Sequence, residues 1–118
     1  MSSSTQDTKL RTNCKIIWGD AEYDLDIETD DWVTYMCHVK KDFGTYYGPP
    51  LTMTGLCNSK EQAWGELERM LDVWATQVQS GRSMTKDQKL EIFGGPNGRN
   101  TVILGRVLDE AERRGISM

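Results

Sequence analysis

From Asp20 to Asp30 the chain alternates strictly: Asp20, Glu22, Asp24, Asp26, Glu28 and Asp30 are separated by Ala21, Tyr23, Leu25, Ile27 and Thr29. Successive side chains of a strand project to opposite faces, so this period of two predicts a β-strand with one apolar face and one face of carboxylates. Trp32 to Val39 is rich in aromatic and β-branched residues and predicts a second strand. Lys40 to Gly44 reads as a turn, Thr45 to Tyr47 as a short return, and Leu51 to Cys57 as a further extended segment beyond Pro49 and Pro50. Cys14 to Trp18 has the apolar content of an additional strand ahead of them.

After Ser59 the period changes. Trp64, Leu67, Leu71, Trp74 and Val78 recur at helical spacing, and Ser59 with Gln62 forms a capping pattern, so a helix is predicted over 59–80. Lys89 to Phe93 reads as a short strand, with Thr85 and Gln88 offering a helical cap as the alternative. Gly94 to Asn100 is a loop. Thr101 to Leu104 is left open between a hairpin partner and a first helical turn, and a helix follows over 106–114. The expected fold is α+β: an antiparallel meander within 13–57, packed against one long amphipathic helix, with a shorter C-terminal helix. Met1 to Thr12 is polar and reads as a flexible tail, leaving residues 13–118 as one domain.

Charge sharpens the picture. Residues 20–31 hold seven carboxylates and no cation, although the net charge of the whole chain is only −4. Carboxylates so close on one strand face repel unless a cation lies across them, either internally from Lys9, Arg11, Lys15, Lys40 or Lys41, or in trans. The expected function is a small protein-interaction or regulatory module. Asp20, Glu22, Asp24, Asp26 and Glu28 form its partner surface for a basic protein segment or the basic tail of a second copy. The alternating acids depart from a calcium loop, since Leu25 stands at the sixth position and Asp31 at the twelfth. Cys14, Cys37 and Cys57 are too widely spaced for a zinc motif, and read as buried free thiols. Cys37 and His38 are adjacent, so a strand points them apart. No metal, cofactor or catalytic residue is therefore assigned.

The glycine-rich turn offers a weaker anion site at Gly95, Gly98, Arg99 and Asn100. A nucleic-acid-binding reading would use Lys60, Lys86, Lys89, Arg99 and Arg106. A small enzyme or small-molecule binder is the third class. The polar start of the chain lacks a signal peptide's apolar segment, and no run is long enough to span a membrane, so a cytoplasmic or nuclear location is expected.

The stretch from Trp32 to Val78, with Ser59-Lys60-Glu61 opening its helix, resembles two families in architecture. Double-stranded RNA-binding domains carry three strands and a helix opened by a Ser-Lys-Lys-Glu-Ala run. HicB-type antitoxins place a Thr-x-Glu-Glu-Ala helix after a short sheet. The RNA-binding families use several lysines at that helix start, where this chain has Lys60 alone beside Glu61.

Overall fold

The computed structural model describes residues 3–115. Eight turns and elements run in the order α1 (Ser3–Trp18), β1 (Tyr23–Asp30), β2 (Thr34–Asp42), β3 (Tyr47–Met53), α2 (Lys60–Gln79), α3 (Lys86–Phe93), a 3-10 turn at Pro96–Gly98, and α4 (Thr101–Arg113). The architecture is α+β, a three-stranded antiparallel meander in the order β1-β2-β3 with four helices.

The strand alternation has its expected consequence. Tyr23, Leu25 and Ile27 face the helices and join a core with Cys37, Val39, Leu67 and Leu71. On β1 their neighbours Asp24, Asp26 and Glu28 face away from that core. Two non-glycine residues, Asp31 and Trp32, make the β1–β2 turn with φ of 50° and 62°, and the Val33 N–H donates to the Asp30 carbonyl at 3.0 Å. Positive φ at both central positions is the hairpin geometry whose twist matches the strands. The β2–β3 pairing is interrupted by irregularities around Lys40, where Pro50 sits opposite. Pro49 and Pro50 therefore lie within β3 rather than ending it, as proline can in an edge strand. Cys57 reaches β2 through a single bridge to Tyr35.

The Ser59–Ser80 helix forms as expected. Ser59 caps α2 by accepting the Gln62 N–H at 3.1 Å, and the Gln62 side chain accepts the Asn58 N–H at 2.6 Å. Leu67 and Leu71 are fully buried, Trp64 and Trp74 pack at the edge of the core, and Val78 is exposed.

The first residues correct the sequence reading twice. Residues 3–12, expected as a tail, and Cys14–Trp18, expected as a strand, form the single helix α1; Met1 and Ser2 lie outside the described residues. Leu10, Cys14 and Ile17 recur at helical spacing and make the stripe that meets the core. Asn13 donates to Asp72 at 2.7 Å, Lys9 pairs with Asp72 at 2.9 Å, and Trp18 stacks edge-on against Trp74 at 5.0 Å. The helix is thus fixed by α2, a partner far away in sequence. Local composition does not reveal such a helix.

A further correction concerns 89–104. Lys89 to Phe93 is helical in α3, with Thr85 and Gln88 forming a reciprocal capping box, and Thr101 to Leu104 begins α4. Leu90 and Ile92 had suggested a strand, but the cap prevails. Arg69, paired with the buried Glu66 on α2, ties α3 to α2. Arg69 grips the buried Glu66 through two bonds of 2.8 Å and donates to the carbonyls of Glu91 at 2.6 Å and Ile92 at 3.1 Å.

Candidate functional site

The sheet face turned away from the core is built by the hairpin register. Asp24 lies opposite Lys40, Asp26 opposite His38, and Glu28 opposite Met36. On its other side His38 lies opposite Met53 of β3. Three of the five carboxylates expected to form one surface (Asp24, Asp26 and Glu28) therefore share the open face of β1. Asp20 and Glu22 precede the strand, where Asp20 approaches Lys15 at 3.8 Å and the Glu22 carbonyl accepts the Asp42 N–H.

His38 occupies the middle of this face and is only 4% exposed. Its Nδ1 lies 3.4 Å from Glu28 Oε1, while one donor atom each from Asp24, Asp26 and His38 falls within 4.8 Å of the others. Asp26 is oriented from its own strand, because its Oδ1 accepts the Ile27 N–H at 2.8 Å.

Of the five cations expected to neutralise the stripe, four are placed elsewhere. Lys9 pairs with Glu68 and Asp72, Arg11 with Asp7 and the Tyr23 carbonyl, and Lys15 with Asp20. Lys41 lies opposite Tyr23, on the helix side of the sheet. Lys40 alone of those five stands in register on the acidic face.

The other sequence candidates fare differently. Cys37 and His38 point to opposite faces, and all three cysteines are buried and free. Burial pushes the Cys14 and Cys37 thiols up to about 12 and raises Cys57 in the same direction. In the glycine-rich turn the backbone amides of Gly98, Arg99 and Asn100 donate to Gly95, Pro96 and Gly94. The Arg99 guanidinium donates to the Leu56 carbonyl. These four donors are thus engaged within the protein. Lys60, Lys86, Lys89, Arg99 and Arg106 come from α2, α3, the connecting turn and α4, and Lys86 pairs with Asp109. No helix among the described residues is long and apolar enough to cross a membrane.

Two features escaped the sequence reading. His38 joins the carboxylates only through strand pairing, and the signal for it was the hairpin itself, since residues equidistant from Trp32 face one another. Trp32 is the other, 73% exposed at the hairpin tip with the Lys60 ammonium 6.0 Å from its ring centre. No family model, curated protein or solved structure matches the chain.

Proposed function

We propose that this chain is a protein-interaction module whose open sheet face, carrying Asp24, Asp26 and Glu28, docks a basic segment of another protein. The observation that carries the reading is the placement of the chain's cations: Lys9, Arg11 and Lys15 are paired away from this face, leaving Lys40 as its registered counter-charge. A surplus of like charge with a fixed geometry favours a cationic partner, chiefly through association rate and specificity, and such binding weakens with salt. The test is fluorescence anisotropy of a labelled lysine- and arginine-rich peptide at low and moderate salt. Asp24→Lys with Asp26→Lys should weaken binding at least tenfold with the melting temperature unchanged. Equal binding to both proteins defeats the reading. Sedimentation of the same pair decides whether the partner is a second copy.

A nucleic-acid module is the second reading. What supports it is the run of three antiparallel strands followed by a Ser59-capped helix, the order on which the resemblance to double-stranded RNA-binding domains rests. Against it stand the dispersed cations and the acidic β1. A labelled RNA duplex in the same titration separates the two, because phosphate-driven binding should be lost with Lys60→Ala and fall steeply with salt.

A further inference from the structure

We propose that Asp24, Asp26 and His38 form a binding site for a divalent cation of the zinc class. The inference goes beyond docking of a basic segment and stands whether or not that reading holds, since it concerns the isolated chain.

Three observations converge. The first is geometric: donor atoms of the three side chains lie within 4.8 Å of one another. Ligands around a tetrahedral zinc at bond lengths of about 2.1 Å are separated by about 3.4 Å, so a rotamer adjustment of the carboxylates closes the set. Asp26 is exposed and Asp24 partly so, and the second oxygen of Asp26 stays available while Oδ1 holds the Ile27 N–H.

The second observation is the imidazole. His38 is more than nine-tenths buried, and the groups beside its ring are carboxylates: Glu28 lies 3.4 Å from Nδ1, and Asp24 and Asp26 each bring an oxygen within 4.8 Å of the ring's donor atom. A ring so placed, aimed into two carboxylates, has the character of a ligand.

The third is the donor set together with its support. One nitrogen and two carboxylate oxygens suit zinc and its borderline neighbours, where an all-oxygen set would suit magnesium or calcium. Glu28 Oε1, 3.4 Å from Nδ1, stands where an outer carboxylate can fix the ring and raise its basicity, leaving Nε2 for the metal. Three protein ligands leave a coordination position open to water or to a partner's side chain. The buried cysteines offer no competing site, since burial keeps their thiols protonated.

The chain contains a single histidine, so its ring protons are unique in a proton NMR spectrum. Titration of the full chain with Zn(II) should shift or broaden the His38 Cε1–H resonance with one-to-one stoichiometry, matched by calorimetry. Asp26→Asn should weaken Zn(II) binding at least tenfold, and Glu28→Gln between about tenfold and a hundredfold. His38→Asn should abolish it; because His38 is buried, the exposed Asp26 variant and the wild-type resonance carry the test if that protein fails to fold. Mg(II) and Ca(II) serve as controls and should bind far more weakly. The site is refuted if Zn(II) leaves the His38 resonance in place at millimolar metal. Binding unchanged by Asp26→Asn, or Ca(II) binding as tight as Zn(II), refutes it equally. The basic-peptide titration, run without metal, reports on docking alone, so failure of one does not pass for failure of the other.

Discussion

Cys14 and Cys37 are fully buried, and desolvation of the thiolate lifts both thiols from an ordinary 9.0 to about 12. Below pH 9 the thiols are protonated folded and unfolded alike, and they make stability no more pH-dependent. Above it the unfolded chain releases protons that the folded chain keeps, so stability falls as pH rises from about 9 towards 12. Each thiol contributes a slope of about 1.4 kcal/mol per pH unit in that window. Urea unfolding at pH 8, 9.5 and 10.5 should show this decline, and Cys14→Ala should flatten it by the share of one thiol. Parallel slopes in the two proteins would show that Cys14 is wetter than it looks. The same scale explains what was legible in the site. The carboxylates announced themselves because their spacing matches a strand's period, a property of a few consecutive residues. His38 did not, since its role depends on which residue of the neighbouring strand it faces.

Elements divide along a similar line. Strand β1 and helix α2 were readable because each has its own period, and α2 its own cap at Ser59. Helix α1 was not, because its stripe is thin: Leu10, Cys14 and Ile17 interrupt a run of polar residues, and the apolar Ile16-Ile17-Trp18 imitates a strand. Its stability comes from Asp72 and Trp74 on α2, partners that no local window contains. The β1–β2 turn shows a local preference overruled by its strands, since Trp32 takes a left-handed backbone that suits glycine or asparagine. Trp32→Gly removes that cost but also the contact with Lys60, a pair worth about 0.5–1 kcal/mol when exposed. The net expectation is a gain of about 0.5–1 kcal/mol, read as a higher urea midpoint. A lower midpoint would mean that the ring does more for the hairpin tip than the backbone strain takes away.

For the whole molecule, the covered and open faces of the sheet follow from one asymmetry: α1 and α2 pack together, and α2 meets β2, on the side where β1 turns Tyr23, Leu25 and Ile27. The opposite face keeps its charges. A meander of three strands also has two unpaired borders, and these are protected by different means. β3 carries Pro49 and Pro50, which have no N–H to offer another strand and sit where the pairing is irregular. β1 has the Arg11 guanidinium on its Tyr23 carbonyl and, along the rest of its length, the repulsion of Asp24, Asp26 and Glu28. The consequence is colloidal. A copy of this chain approaching β1 meets its own negative row, so self-assembly along that border is opposed by charge. Asp24→Asn, Asp26→Asn and Glu28→Gln together leave the strand's shape and apolar face intact while removing that opposition. The triple variant should scatter light and bind thioflavin T at concentrations where the parent stays clear, and a further Thr29→Pro on the same border should restore clarity.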